Sequence, residues 1–144
     1  MGLPHPWLAT FVGDASVESV VSGELARLTA ADMGPLGQVV LSPILRASVS
    51  SPLLRLPPDR RCYTFNLFRL PPTGSTDDAR RLVTANRAVH DRVRAAGGTL
   101  YPVSALPMSR ADWRAHFGPA FQQLEDAKRE HDPDHVLTPG YQVF

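Results

Sequence analysis

Cysteine is almost missing from this chain. Cys62 stands alone among 144 residues, which excludes an internal disulfide and leaves no set of thiolates for a metal cluster. A reducing compartment is the expectation. No basic N-terminal segment leads into a short apolar core, and no window approaches the ~20 apolar residues needed to span a bilayer. A soluble, cytoplasmic protein is therefore expected. Charge of either sign is not in excess: fifteen basic side chains against fourteen acidic ones leave a net charge of +1, so nothing electrostatic points to nucleic acid or an anionic membrane. Also absent are a Gly-x-Gly-x-x-Gly turn after a strand, a Walker lysine loop and a Gly-x-Ser-x-Gly elbow. These gaps argue against a self-contained nucleotide enzyme or serine hydrolase, and no nucleophile, base and orienting partner can be grouped along the chain.

What is present is an ordinary globular composition, 43% apolar and 20% charged, in a length that supports one buried core. The opening "PHPWLATFVG" places His5 between two prolines and then starts a strand over Trp7–Val12, closed by Gly13-Asp14. Asp14 is expected to cap a helix in "DASVESVVSGELARLTA", with Val17, Val20, Val21, Leu25 and Leu28 on a sheet-facing side. Gly34, Pro35 and Gly37 break the pattern before a second strand, "QVVLSPIL", that ends near Pro43. A long irregular connection runs from Ala47 to Arg60.

"RCYTFNLFRL" alternates strand formers with polar residues and reads as the third strand, closed by Pro71, Pro72 and Gly74. A long helix starts near Ser75 or Thr76. Its inner face is Ala79, Leu82, Val83, Asn86, Val89, Val93 and Ala96, and Gly97-Gly98 stops it with a left-handed residue. "TLYPVSAL" is expected as a fourth strand. Two helices follow: "SRADWRAHF", where Ser109 and Asp112 suit a capping box, and "PAFQQLEDAKREH", with Pro119 near its start and Pro133 after its end. An extended tail closes the chain.

This order predicts an α+β fold, a ferredoxin-like split βαβ antiparallel sheet with two C-terminal helices and an extended tail. Both long helices on one face leave the other sheet face open. A second domain, a second copy of the chain or a ligand would cover it.

Several residues invite a chemical reading and mostly decline it. His131 and His135 with Asp132 and Asp134 resemble a metal face, but Pro133 interrupts the helix that would build it, and no metal site is expected. Arg46, Arg55, Arg60, Arg61 and Arg69 offer an anion clamp or a solvated scatter. Trp113 and Phe117 read as a core contact, His90 as a packing residue and Cys62 as a buried thiol. Trp7 is balanced between core filler and a flat wall for a planar ligand.

Taken in order, "PHPWLATFV", "GQVVLSPI", "SRADWRAHFG" and "KREHDPDHVLTPGYQVF", with the ending DP-x-x-x-L-[ST]-P-G-x-x-[IV]-F, resemble the C-terminal substrate-domain portion of cytokinin dehydrogenases, flavoproteins of the vanillyl-alcohol-oxidase type. The similarity runs from about His5 to Phe144.

The resemblance implies a substrate domain over 1–106, with the helices and tail of 107–144 packing back on an FAD-binding domain supplied in cis or in trans. It implies FAD held mainly by that other domain, a planar amine as substrate, and oxidation of the amine's C–N bond. It places Trp7, Ala9, Gln38 and Val40 beside the substrate and Tyr101, Val103, Ser104 and Tyr141 on the flavin side, with no catalytic group in the chain itself. Ala9 stands where plant members often carry asparagine, and Tyr141 replaces a glutamine of the tail. The alternative is a stand-alone ferredoxin-like module that binds or dimerises through its open sheet face.

Overall fold

A computed structural model describes residues 4–71, 75–137 and 141–144. Pro72 and Gly74, expected to close the third strand, and Thr138-Pro139-Gly140 of the tail lie outside the described residues. The chain divides into two compact units, Met1–Leu106 and Pro107–Phe144.

In the first unit the elements run β1 (Leu8–Gly13), α1 (Val17–Leu25), α2 (Ala30–Met33), β2 (Gln38–Leu45), a 3-10 turn (Arg46–Ser48), β3 (Arg61–Phe68), α3 (Thr76–Ala95) and β4 (Thr99–Leu100). The strands form one sheet in the order β2-β3-β1-β4, antiparallel at every junction. This is the ferredoxin-like arrangement that the alternation of strands and helices predicts.

Local details depart from the expectations in instructive ways. Asp14 does not cap α1. Its carboxylate accepts a hydrogen bond from the Tyr63 hydroxyl at 2.9 Å and lies near Arg61, and Ser16 holds the cap position without a side-chain bond. The helix also stops early, at Leu25, which is 48% exposed, and its buried residue is Glu24. Glu24 faces inward because Arg92 of α3 meets it with two hydrogen bonds, at 2.5 and 2.8 Å. A separate turn, α2, follows, its capping box built from Thr29 and Asp32.

β2 runs through Pro43 to Leu45. Proline is tolerated there because β2 is an edge strand, where an outward-facing backbone nitrogen needs no partner. The fourth strand shrinks to Thr99–Leu100, since the chain turns at residues 102–104.

α3 follows its periodicity. Leu82, Asn86, Val89 and Val93 are buried as expected, with His90 beside them, and Ser75 caps it by accepting from the Asp78 N–H. Ala96, expected on that face, is exposed at the helix end. Gly97 ends the helix at φ +82, the left-handed geometry read from Gly97-Gly98.

Strand pairing sorts side chains onto two faces, because directly paired residues point the same way. One face carries Leu8, Thr10 and Val12 of β1, Phe65 and Leu67 of β3 and Leu100 of β4. All six are at most 1% exposed, and α3, which packs on β1 and β4, covers them.

In the second unit, α4 (Arg110–Phe117) starts at the expected Ser109–Asp112 capping box. A 3-10 turn over Gly118–Ala120 takes up Pro119, and α5 (Phe121–His131) follows it. Buried Asp132 ends α5 by accepting from the N–H groups of Val136 and Leu137 and pairing with Lys128. The tail expected to run extended turns over residues 141–143. There Trp113 donates its indole N–H to the Tyr141 carbonyl at 2.8 Å, and the Phe144 ring lies against Phe121.

Candidate functional site

The second face of the sheet is open at one end only. Register puts Ile44, Cys62 and Gly13 in one row across it and Ser42, Thr64, Phe11 and Thr99 in the next. The connection from Val49 to Arg60 folds over this end. The Cys62 thiol lies 3.5 Å from the Pro57 carbonyl, Thr99 donates to the Arg55 carbonyl, and a Cβ on Gly13 would run into the Asp59 carboxylate. Burial pushes the Cys62 thiol above its ordinary range, as expected for an inert core thiol.

Beyond Phe11 two rows remain, in which Trp7, Gln38 and Tyr101 are exposed, Val40, Asn66 and Phe68 half-buried and Ala9 buried between them. Gln38 pairs with Phe68, and the next register step puts Phe68 opposite Trp7. Val40 pairs with Asn66 and Asn66 with Ala9. Tyr101 completes this second row by donating its backbone N–H to the Ala9 carbonyl at 3.0 Å.

The open end is paved with aromatic rings. Trp7 and Phe68 lie with ring centres 4.8 Å apart, His5 stands edge-on to Trp7 at 5.3 Å, and Tyr101 leans on Phe11 at 5.5 Å. Trp7 is 42% and Tyr101 40% exposed. Such rings present broad, rigid, weakly hydrated surface to a flat partner. Trp7 is thus not core filler.

The plateau is held from behind and from the side. The Asn86 amide of α3 donates to the carbonyls of Pro6 and Ala105 at 3.1 and 3.0 Å, tying the residue before Trp7 to the chain beyond β4. Ala105 donates to the Trp7 carbonyl at 2.7 Å. At the Gln38 end, buried Arg69 donates to the Asp32 carbonyl, and Arg81 reaches both the Ala31 carbonyl and the Asp32 carboxylate. Burial draws Arg69 below the usual guanidinium range. The Thr29 hydroxyl, and after it Arg81, hold Asp32 below the ordinary carboxylate range. These charges brace the entry to β2, and the two open rows contain no carboxylate.

Of the residues singled out from the sequence, Trp7, Ala9, Gln38, Val40 and Tyr101 therefore come together on one patch. Val103 lies just past Tyr101 and is 60% exposed. Ser104 is buried, its hydroxyl committed to the backbone of Ala9 and Tyr101. Tyr141 belongs to the second unit, where its side chain is exposed.

The arginines do not converge. Arg46 and Arg55 line one hollow, Arg60 and Arg61 another, and Arg69 is buried. Among the described residues no group of His, Cys, Asp and Glu is placed to hold a metal ion, and no helix is long and apolar enough to cross a membrane.

Residues 2–144 match the family model described as cytokinin dehydrogenase 1, FAD and cytokinin binding. The chain belongs to the cytokinin dehydrogenase family. An uncharacterized oxidoreductase, ORF5 of the fasciation locus of Rhodococcoides fascians, is 33% identical over 97% of this chain and 31% of that relative. Cytokinin dehydrogenase 10 of Oryza sativa subsp. japonica is 30% identical over 99% of this chain and 26% of its own length. Cytokinin dehydrogenase 4 of Arabidopsis thaliana is 23% identical, again over 99% of this chain. The chain of this cytokinin dehydrogenase family member thus spans about a quarter to a third of the length of these relatives.

Two residues of the patch were missed from the sequence, Phe68 and Asn66. Both lie in the third strand, and its alternation places them on the same side as Cys62 and Thr64. What the pattern does not carry is that this side continues into Trp7 and Ala9 across the sheet.

Proposed function

We infer that this chain is the substrate-side portion of an FAD-dependent oxidoreductase that oxidises the C–N bond of a secondary amine, and that its half-open sheet face lies against substrate and flavin. The observation that carries this reading is the aromatic plateau of Trp7, Phe68 and Tyr101, left uncovered at one end of a sheet whose other end the same chain seals. The family match supports it.

A flat, weakly polar surface fits one face of a planar ring system. The donor set suits that role and no other part of a dinucleotide, because the rows offer no cation or glycine-rich turn for a pyrophosphate. FAD held by the other domain would supply the acceptor for the hydride leaving the carbon next to the amine nitrogen; the nitrogen's proton would pass to a base outside this chain, and water would split the resulting imine into a primary amine and an aldehyde.

Trp7, Ala9, Gln38 and Val40 shape the slot for the planar amine. Tyr101 and Val103 face the flavin side, and Ser104 serves that side through the backbone it fixes. These residues orient the amine and keep bulk water from it, which raises the fraction of bound substrate in a reactive pose. Residues 1–106 form the substrate domain in this reading, and 107–144, with Tyr141 in the closing turn, dock on the FAD-binding domain.

The test is co-expression of the full chain with the flavin-binding portion of the Rhodococcoides fascians relative. Flavin absorbance co-eluting with this chain is the expected result, and Trp7→Ala should weaken amine turnover while leaving the fold intact. Colourless proteins that elute separately would overturn the reading. A second reading, a module that pairs with its own copy through the open sheet face, would use the exposed Trp7 and Tyr101 there; Val39, Leu41 and Leu45, apolar and exposed along the β2 edge, pair with Leu67, Phe65 and Arg61 and so lie on the helix-bearing side instead. Pro43 in that edge opposes strand-to-strand pairing, and a monomer at high concentration would dismiss it.

A further inference from the structure

Two arginines share a hollow in the connection that seals one end of the sheet, and no carboxylate answers them. Arg46, Ser50, Ser51 and Arg55 line it together with apolar neighbours, around a volume of about 340 Å³, and no acidic residue is among them. Neither guanidinium makes an ion pair or a hydrogen bond among the described residues. The neighbouring hollow is the contrast: there Arg60 and Arg61 stand with Asp14 and Asp59, and the Asp14 carboxylate lies 3.9 Å from Arg61. Like charges gathered in one hollow repel each other, so an arginine pair with no counter-charge in the chain favours one from outside. Arg55 is half-buried, which makes its uncompensated charge the costlier of the two.

The rest of the polar lining donates as well. The hydroxyls of Ser50 and Ser51 and their backbone N–H groups make no hydrogen bond among the described residues. The backbone that carries them is fixed on both sides. The Arg46 N–H donates to the Arg60 carbonyl at 3.0 Å, and the Val49 N–H turns back to the Arg46 carbonyl at 3.2 Å. The Leu54 N–H closes a turn on the Ser51 carbonyl at 3.3 Å, and the Thr99 hydroxyl of β4 donates to the Arg55 carbonyl. A phosphoryl group accepts from several donors at once and pairs with guanidinium through parallel N–H bonds. It can use both arginines and both serines, whereas a carboxylate, with two oxygens, leaves some of them idle.

We propose that this hollow is a phosphoryl-binding site, in which Arg46 and Arg55 clamp the charge and Ser50 and Ser51 donate to the remaining oxygens. The bound group ties the first residue past β2 to the middle of the connection, and so braces the segment that covers Cys62 and Thr99. The site is independent of what the open end of the sheet binds.

Calorimetric titration of the full chain with inorganic phosphate, in chloride buffer at constant ionic strength, tests this. Saturable binding of roughly millimolar strength is expected, weakened about tenfold by Arg46→Gln or Arg55→Gln. Arg60→Gln, in the other hollow, should leave it unchanged, and acetate should bind roughly tenfold more weakly than phosphate. Ethyl phosphate separates the two sources of the group: tighter binding than the free ion marks a phosphomonoester as the ligand, and weaker binding marks the free ion. The unfolding temperature of wild type should climb to a plateau with phosphate, while the glutamine variants keep only the shallow, unsaturated rise that any excluded salt gives. Unfolding in chloride alone checks that each variant is folded, and either glutamine variant carries the test if the other is not. Absence of saturable binding to wild type, equal affinity for acetate, or a loss in Arg60→Gln as large as in Arg46→Gln or Arg55→Gln overturns the site.

Discussion

The Ser104 hydroxyl closes both backbone groups of Ala9: it accepts from the Ala9 N–H at 2.8 Å and shares its own proton between the carbonyls of Ala9, at 3.0 Å, and Tyr101, at 2.8 Å. Just past β4 the Tyr101 N–H still reaches the Ala9 carbonyl, but the Ala9 N–H finds no backbone partner on that side, and the Ser104 hydroxyl stands in for it. Ser104→Ala leaves the Ala9 N–H buried without a partner, which costs about 1–3 kcal/mol. A urea titration should show a lower midpoint with an unchanged slope. An undiminished midpoint would mean that water or a backbone shift replaces the hydroxyl.

Glu24 is buried, and Arg92 is its charge partner at 2.5 Å. Arg92→Ala strands the carboxylate, and breaking a fully buried pair costs roughly 3–5 kcal/mol. The Arg92 side chain is 42% exposed, so solvent screens part of this and the expected loss is about 2 kcal/mol. Glu24→Leu with Arg92→Ala should recover most of it, which chemical denaturation of the double variant reads directly.

His90 gives the fold a pH dependence. Burial holds its imidazole below the ordinary value, and Arg87 and Arg94 add to this against the opposing pull of Asp91, 3.4 Å away. Above the unfolded-state value, about 6.5, both states are neutral and the full stability is present. As pH falls through that value the unfolded chain takes up the proton first, so stability drops until the lower folded-state value is passed. Denaturation at pH 7 and pH 5 should show this loss in wild type and a smaller one in His90→Phe. An equal loss in both proteins would assign the effect to other groups.

Two glycines with positive φ separate strain from crowding. Gly97, at φ +82, has open space where a Cβ would stand, so Gly97→Ala should cost about 1 kcal/mol. Gly34, at φ +78, points its missing Cβ at the Leu70 carbonyl. Gly34→Ala should cost about 3 kcal/mol or more, because backbone rather than a side chain must move. It should also disturb Gln38, four residues on in the same β2 entry. Thermal unfolding of the two variants side by side checks the order.

The sequence by itself determined what local pattern can determine: the order of strands and helices, the inner stripe of α3 through Leu82, Val89 and Val93, the Ser109–Asp112 box, and the left-handed stop at Gly97. Each depends on residues within a turn or two of one another, where backbone preference and spacing act directly. Asp14 misled for the same reason, since a local capping signal lost to a partner, Tyr63, that is distant in sequence. Tertiary structure alone decided that the connection from Val49 to Arg60 seals one end of the sheet and that Trp7, Phe68, Asn66, Ala9 and Val40 share the other. Those neighbours come from three strands, and their meeting depends on a register that a shift of one residue would send to the opposite face.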